Sequence, residues 1–396
     1  MKNVVCYIRL PMLCFGMSCF ILSAACHSAD EAVEAIAEQP VEAGAAGAIE
    51  CADDALIVAS VQHLLEMQQA DGSWPYEGVY RVRGEIPVGY RVGGTASAAT
   101  ALLHAGREQA DVRISLHRAI EFILKGIERD ELSMSRRDRY DVRIWGQSTA
   151  LSFLSQWLLF SDRGPQEPKV RVAVDSLVDR IVKQEIRDGG WNYANQRYPA
   201  SFVTGPVAQS LLWARATGAR VPDAVLERAG DALLHLQHES GAVHYSGSQA
   251  ASRRSSNRAT VPGSAARAPV CATTLYLLGK GDLPGVLRAV ELFFANWQAL
   301  EDRRQQTGTH EGPYGVAPYY FFFGHRYAAQ AISALPKVQQ AEHEKRLCDL
   351  LLRVRDDDGT WNDRIFRRSR NYGTAMALIA ILGDGVPLPP PLSAGE

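Results

Sequence analysis

A helix-ending turn recurs four times along the 396-residue chain and constrains the fold more than any other feature. In each copy an apolar helical pattern runs into polar residues, then Asp-Gly or Ser-Gly, and then an aromatic side chain. The copies span residues 61–74, 178–191, 231–245 and 347–361. Glycine takes the left-handed conformation that ends a helix, and the aromatic side chain folds back as an apolar plug. The pattern predicts a repeated helical unit.

A second helical segment, rich in Ala, Ser, Thr and Gly, belongs to each of six pairs. These segments span 93–106, 144–160, 204–218, 270–279, 324–335 and 372–382. Their amphipathic partners lie near 53–69, 115–129, 170–186, 222–238, 283–300 and 337–354. No run of period-two alternation is long enough for a sheet. An open superhelix of hairpins fits, but the alternation favours closure into a ring with the small-residue helices inside. We predict an all-α (α/α)6 toroid with a central cavity.

The Gln-…-Asp-Gly-x-Trp turns resemble the repeat of squalene–hopene cyclases and of the β subunits of protein prenyltransferases. The resemblance covers about residues 53–383, and the chain looks closest to the bacterial prenyltransferase/squalene-oxidase-repeat proteins. It implies an α/α-toroid whose central cavity is entered from one end. The chemistry of that bacterial group is generally unassigned, so the resemblance implies a fold and no reaction.

This sequence lacks at least one residue that each reaction of the related families requires. The Asp-x-Asp-Asp acid of the cyclases has one comparable cluster, Asp356–Asp358, which lies in the last repeat turn and is interpreted as structural. The zinc site of the prenyltransferases uses Asp, Cys and His. Cys271 and His325 take the Cys and His positions, but Pro269 stands where the Asp belongs. Because catalytic zinc needs three protein ligands, we predict no cofactor, with zinc at Cys271 and His325 as the alternative.

In a ring of hairpins, all loops that lead from an outer to an inner helix share one face. Here they span 75–93, 131–144, 192–203, 246–269, 301–323 and 362–372, and together hold 18 Arg, no Lys and nine acidic residues. The whole chain has 35 Arg and 7 Lys, so a general preference for Arg explains why the loop cations are arginines. It does not explain why they are concentrated in these loops, since the net charge of the whole chain is −2. Arginine suits bidentate contact with carboxylate, sulfate or phosphate. We predict a cavity mouth that attracts anions.

Candidate site residues come from three of these loops and from the inner helices they lead to. His325, expected at a helix N-terminus where its pKa is lowered, is the leading general-base candidate. Aromatic side chains beside it can stack a sugar or enclose a prenyl chain, although core packing is the alternative for residues 319–323. The predicted catalytic residues are His325, Tyr319, Tyr372 and Glu77. The predicted ligand-binding residues are Arg91, Arg81, Trp145, His310, Tyr320 and Arg364; the last loop also offers Asp363.

The N-terminus is typical of a signal peptide over residues 1–25. Lys2 and Arg9 precede an apolar run that ends in small residues before Cys26, and the run is too short for a transmembrane helix. Lipidation of Cys26 and an uncleaved anchor are the alternatives. Residues 26–52 form an acidic Ala/Glu-rich tether and 384–396 a Pro-rich tail. Pairing among Cys51, Cys271 and Cys348 stays open.

These observations predict an exported protein, periplasmic or associated with the cell envelope. Its Arg-rich mouth binds an anionic small molecule, an isoprenoid or a carbohydrate, and the chemistry is that of a lyase or transferase. The alternative is a non-catalytic, tethered binding or scaffold protein on the same fold. Nucleic acid is not a predicted partner, because no nucleic-acid-binding module is recognisable. Membrane contact is predicted only through the N-terminal lipid or anchor.

Overall fold

Helices dominate the computed structural model, which describes residues 54–78, 85–132, 142–193, 197–247 and 260–392. Across these ranges the chain forms fourteen α-helices and isolated β-bridges but no β-strand. In chain order the helices are α1 (Asp54–Met67), α2 (Val88–Gly106), α3 (Ala110–Ile127), α4 (Arg143–Phe160), α5 (Glu167–Lys183), α6 (Ser201–Ala216), α7 (Asp223–Leu236), α8 (Val261–Ser264), α9 (Ala268–Leu277), α10 (Leu283–Ala295), α11 (Trp297–Glu301), α12 (Tyr320–Ala334), α13 (Lys337–Arg353) and α14 (Arg370–Leu382).

Two kinds of helix alternate along the chain. Helices α1, α3, α5, α7, α10 and α13 bury one apolar stripe and expose the other side, as amphipathic helices do. Helices α2, α4, α6, α9, α12 and α14 are buried on nearly every side and are rich in small residues. Small side chains allow the buried helices to pack closely. The buried helices therefore form the inner layer of the fold.

The inner helices form a closed ring. Each packs against the next in the order α2, α4, α6, α9, α12 and α14, and α14 packs back against α2. Closure confirms the predicted (α/α)6 toroid and excludes the open superhelix. The short helices α8 and α11 lie in connections between outer and inner helices.

Three tryptophans hold the repeat turns in the same way. The side chains of Trp74, Trp191 and Trp361 are at most 1% exposed. Each indole Nε1 donates to the carbonyl of the residue ten positions earlier, at 2.7, 2.9 and 2.9 Å. Each backbone N–H donates to a threonine hydroxyl of the following inner helix, namely that of Thr95, Thr204 and Thr374 respectively. One side chain thus joins the end of an outer helix to the start of its inner partner.

Left-handed glycines end the outer helices in all four turns, as the sequence predicts. Their φ angles lie between 79° and 94°, at Gly72, Gly189, Gly241 and Gly359. The third turn carries Val243 where the others carry tryptophan, so its connection lacks the indole hydrogen bond. Asp358, in the acidic cluster of the last turn, accepts from the backbone of Thr360 and pairs with Arg370. These contacts agree with the structural interpretation of that cluster.

The described part of the C-terminal tail contacts the toroid at two points. The backbone N–H of Leu392 donates to the carbonyl of Leu277 at 2.7 Å, and Val386 and Leu392 pack against the core. Cys348 is disulfide-bonded and Cys271 is a buried free thiol. The predicted signal peptide and tether lie outside the described residues. Over the part of the chain that is described, no helix is long and apolar enough to cross a membrane.

The turn glycines give a direct test of the repeat. Gly189 and Gly218 have φ angles of 94° and 93°, but a Cβ on Gly189 would lie 2.4 Å from the carbonyl oxygen of Arg228, whereas Gly218 has open space. Left-handed strain alone costs Gly218→Ala about 1–2 kcal/mol of unfolding free energy. The added clash should bring the cost of Gly189→Ala to about 2–4 kcal/mol. Urea unfolding of the two variants measures both costs, and equal losses would contradict the proposed packing.

Candidate functional site

A cavity of about 170 Å³ lies where the inner helices begin. Tyr90, Trp145, Phe202 and Tyr372 lie within the first three residues of their helices, and Tyr319 directly precedes α12. The rest of the wall comes from loops that connect outer helices to inner ones. We call this cavity the aromatic pocket; it is lined by Tyr76, Gly78, Tyr90, Val142, Trp145, Tyr193, Phe202, Tyr245, Thr309, His310, Tyr319 and Tyr372.

One side of the aromatic pocket is built from the first, second and last repeats. The ring centroids of Tyr76 and Tyr372 are 4.2 Å apart, and those of Tyr90 and Trp145 are 5.7 Å apart. Gly93 makes room for the indole, because a Cβ at this position would lie 2.2 Å from the Trp145 ring. The lack of a side chain at Gly93 therefore fixes where Trp145 sits.

The other side of the pocket comes from the third, fourth and fifth repeats. The Phe202 ring lies 6.3 Å from that of Tyr193 and 5.5 Å from that of Tyr319, measured between centroids. The Tyr245 and His310 rings are 5.0 Å apart in an edge-to-face arrangement. Edge-to-face and tilted pairs are favourable aromatic geometries, so the wall is held by its own packing.

The repeat places one pocket residue at a fixed distance from each turn. Four residues after the left-handed glycine stand Tyr76, Tyr193 and Tyr245 in the first three turns, and all three line the pocket. In the last turn the equivalent residue is Asp363. A carboxylic acid thus replaces an aromatic side chain at one position of an otherwise aromatic set.

Asp363 is a fully buried carboxyl behind the pocket wall. Its side chain is 0% exposed, and its Oδ2 accepts a hydrogen bond from the Tyr76 hydroxyl at 3.3 Å. Its Oδ1 has no hydrogen-bond partner among the residues that the structure describes. Burial raises the pKa of Asp363 to about 7, against the opposing effects of the Arg364 charge and the Tyr76 hydrogen bond. The acid is therefore partly protonated near neutral pH.

His310 forms a second polar pair in the wall. The Tyr319 hydroxyl donates to its Nε2 at 2.9 Å, since its Nδ1 donates to the carbonyl of Gly315 at 3.1 Å. Partial burial is the main cause that lowers the pKa of His310 below 6.5, although more than a third of the residue is exposed. A lowered pKa keeps the imidazole neutral at pH 7, so Nε2 can accept a proton.

Four of the predicted site residues meet in the aromatic pocket, namely Trp145, His310, Tyr319 and Tyr372. Tyr320 is 0% exposed and packs behind the wall against Phe202, with the Arg267 guanidinium 5.7 Å from its ring. Tyr320 is therefore part of the core, which is the alternative predicted from the sequence for residues 319–323.

The prediction for His325 is wrong. Helix α12 begins at Tyr320, so His325 is its sixth residue; it is 0% exposed and does not line the pocket. Its Nδ1 donates to the carbonyl of Phe321 at 2.8 Å, and its Nε2 accepts from the indole of Trp297 at 2.9 Å. Both nitrogens are occupied, and burial rather than the helix terminus lowers the pKa to about 4. His325 is a core histidine that faces α10 and α11.

The structure also leaves Arg91, Glu77 and Arg364 away from the cavity. Arg91 pairs with Asp71 of the first turn and lies 5.0 Å from the Phe122 ring, so it joins the turn to the outer layer. Glu77 and Arg364 are buried beside the wall, at 5% and 3% exposure, without lining the pocket. Arg81 lies outside the described residues.

The zinc alternative finds no support in the geometry. The Cys271 thiol faces the carbonyl of Ser201 at 3.9 Å, whereas His325 faces Trp297. Burial raises the pKa of Cys271 to about 12, which disfavours the thiolate that binds metal. No group of three His, Cys, Asp or Glu side chains capable of holding a metal occurs among the described residues.

The described loop arginines mostly hold the loops together. Arg91, Arg304 and Arg370 pair with carboxylates, and Arg143, Arg267 and Arg303 donate to backbone carbonyls. Arg197, Arg367 and Arg368 are exposed. Among the residues that the structure describes, no charged side chain lines the aromatic pocket. This part of the wall therefore lacks the cations that the loop composition suggests.

Sequence reasoning missed five aromatic residues of the pocket, namely Tyr76, Tyr90, Tyr193, Phe202 and Tyr245. Two signals could have found them: an aromatic residue near the start of an inner helix, and an aromatic residue four positions after a turn glycine. Both signals repeat through the chain and both lead to the pocket.

A larger groove of about 1060 Å³ lies between the third repeat turn, residues 237–243, and helices α9 and α10. Its floor includes Ala272 and Leu275, and its rim carries charges of both signs, such as Lys280 and Glu291. It contains none of the predicted site residues. We take the aromatic pocket as the candidate site, because convergent aromatic and acid–base groups characterise functional cavities.

No protein-family model matches this sequence, and no curated protein matches it. Solved structures match its fold. The α-1,6-mannanase GH76A of Salegentibacter sp. HEL1_6, in complex with α-1,6-mannotriose, gives a TM-score of 0.52 at 14% identity and covers 83% of this chain and 99% of its own.

Two further enzymes share the architecture. The type II terpene cyclase MstE from Scytonema, in complex with geranylgeranyl dihydroxybenzoate, gives a TM-score of 0.51 at 15% identity and covers 84% of this chain and 97% of its own. A D-mannose isomerase gives a TM-score of 0.54 at 12% identity and covers 85% of this chain and 99% of its own. At this level of identity the likeness establishes the α/α-toroid fold, and it agrees with the terpene-cyclase-like fold that the repeat predicts.

The raised pKa of Asp363 predicts an unusual pH dependence of stability. Between the unfolded pKa, about 4, and the folded pKa, about 7, only the unfolded state has lost this proton, so wild-type stability falls as pH rises through that range. Asp363→Asn removes this dependence. The difference in unfolding free energy between this variant and wild type should therefore change in favour of the variant between pH 4 and pH 8, by up to about 3–4 kcal/mol.

Asp358→Asn is the matched control. The hydrogen bond from Thr360 holds the pKa of Asp358 below its usual range, so its stabilising effect is present above pH 4 and is lost in acid. This variant should therefore lose stability relative to wild type at pH 8, opposite in sign to Asp363→Asn. Urea unfolding from pH 4 to 8 measures both, and a wild-type pH dependence retained in Asp363→Asn would exclude a buried acid.

Proposed function

We propose that this protein binds a small, uncharged, hydroxyl-bearing ring of the carbohydrate class in the aromatic pocket. The observation that carries the proposal is the lining that the described residues provide: eight aromatic side chains, six of them tyrosine, and among these residues no Lys, Arg, Asp or Glu. Aromatic faces stack on the apolar faces of a sugar ring, while phenol groups pair with its hydroxyls.

Size and polarity favour a sugar over an isoprenoid. The cavity of about 170 Å³ is below the roughly 300–1,000 Å³ of pockets for larger ligands, and it suits a single ring better than a long chain. The wall carries phenol hydroxyls, among them those of Tyr193 and Tyr372, and a purely apolar ligand would offer them no hydrogen-bond partner, at a cost in free energy. Toroids with bound mannotriose and with a bound isoprenoid substrate both support ligand binding within such a fold.

An anionic ligand stays a prediction that depends on the Arg-rich loop segments outside the described residues. Nothing in the described part of the pocket wall supplies a cation to such a ligand. An acidic sugar would therefore bind with its carboxylate directed away from that part of the wall. Comparing a neutral sugar with its uronate therefore separates the two ligand classes.

Export remains part of the proposal. Its support is the N-terminal sequence together with the disulfide at Cys348, since disulfides persist mainly in oxidising compartments. The non-catalytic alternative, a tethered binding protein, keeps the same pocket and differs only in whether the bound ring reacts.

Isothermal titration calorimetry with D-glucose, D-glucuronate and farnesol tests the proposal. We expect D-glucose to bind more tightly than the other two. Loss of one stacked ring in Tyr90→Leu should weaken binding about 3- to 10-fold. Tyr276→Leu, at a half-buried tyrosine outside the pocket, is the matched control and should leave affinity unchanged. Binding of glucuronate alone, of farnesol alone, or of none of the three would contradict the proposal.

A further inference from the structure

We propose that Asp363 with Tyr76, and His310 with Tyr319, are two proton-transfer units that make the aromatic pocket the active site of an isomerase for small hydroxy-carbonyl compounds. The inference rests on the proposed function, because the reacting compound is the open-chain form of a bound sugar. It adds a reaction and assigns a role to each of four side chains.

The repeat singles out the first unit. Asp363 stands at the position where three other turns place a pocket tyrosine, so the acid is the exception in the set. A carboxyl that is 0% exposed costs free energy unless neutral or fully paired, yet its Oδ1 has no partner. If position 363 served only to fill space in the core, another aromatic ring would fill it at a lower cost in free energy. The substitution therefore points to chemistry.

Tyr76 connects that acid to the cavity. Its hydroxyl lies 3.3 Å from Asp363 Oδ2, and its ring lines the pocket. A protonated Asp363 donates to the Tyr76 oxygen, and Tyr76 then donates its own proton to a bound ligand. The charged and titratable groups that face Asp363 are Arg364, Arg304, Tyr76 and Tyr372. The two arginines favour the carboxylate that remains after the proton has left.

Tyr319 and His310 form the accepting unit. The Tyr319 hydroxyl donates to His310 Nε2 at 2.9 Å, and both residues line the pocket. The His310 Nδ1–H is held by Gly315, so Nε2 is the free basic atom of the ring. As Tyr319 takes a proton from a ligand, it passes its own to His310. Arg267, Tyr245, Tyr319 and Tyr320 are the groups that face this imidazole.

The proton balance fits an isomerisation. Tyr319 removes the proton from the carbon beside the ligand carbonyl, the C–H electron pair forms a C=C bond, and the carbonyl oxygen takes a proton from Tyr76. The resulting enediol then returns a hydroxyl proton to Tyr76 and Asp363, and the former carbonyl carbon takes a proton from Tyr319 and His310. Aldose and ketose have the same composition, so no oxidant, reductant or second substrate is needed.

Deuterium exchange across the whole set of D-aldohexoses tests the inference. Each sugar is incubated with the full-length protein in D₂O, and NMR follows deuterium incorporation at the carbon beside the carbonyl. We expect wild type to exchange at least one of them. Tyr76→Phe and Tyr319→Phe should each slow exchange at least about 100-fold, the usual loss for a general acid or base. Tyr276→Phe, outside the pocket, should exchange as wild type does.

The pH profile separates proton transfer from a structural role. The exchange rate should fall in acid as His310 becomes protonated and fall in alkali as Asp363 ionises, and Asp363→Asn should lose the alkaline fall together with most of the rate. Calorimetry on the same samples reports binding. Binding without exchange, or exchange unaffected in both tyrosine variants, overturns this inference and leaves the proposed function standing. Absence of binding overturns the proposed function itself.

Discussion

The indole–carbonyl hydrogen bond of the turn tryptophans is the contact on which the rest of the architecture depends. In three repeats it ties the end of an outer helix to the beginning of an inner one through a single buried side chain. Together with the left-handed glycine, it fixes the direction in which the chain leaves each turn. Because that direction is repeated, the inner helices close into a ring and their N-terminal ends meet at one cavity.

The aromatic pocket follows from this repetition. In three of the four turns a position four residues after the glycine faces the same centre, and so does a position at the start of five of the six inner helices. Aromatic residues at these positions make a wall with little charge. One altered position, Asp363, then places a single acid behind that wall without breaking its continuity. A repeat fold can thus acquire an asymmetric site by changing one copy of an equivalent residue.

The fold was accessible from sequence because turn chemistry and helical periodicity both recur, and repetition reinforces a weak local signal. The site was less accessible, since it depends on helix starts. Expecting the fifth inner helix to begin at Gly324 put His325 at the cavity, whereas the helix begins at Tyr320 and carries His325 into the core. The prediction that Arg91 binds the ligand is wrong for a similar reason. Helix α2 already begins at Val88, and the Arg91 guanidinium pairs with the carboxylate of Asp71 in the first turn. A shift of a few residues rotates a helical side chain to another face.

A crystal structure of the protein soaked with D-glucose would test the central claim most directly. The account predicts one sugar ring between the Tyr90–Trp145 side and the Tyr319 side of the aromatic pocket, with sugar hydroxyls within hydrogen-bond distance of the Tyr76 and Tyr319 hydroxyls. Density for the sugar in the groove between the third repeat turn and α10, with an empty aromatic pocket, would contradict it.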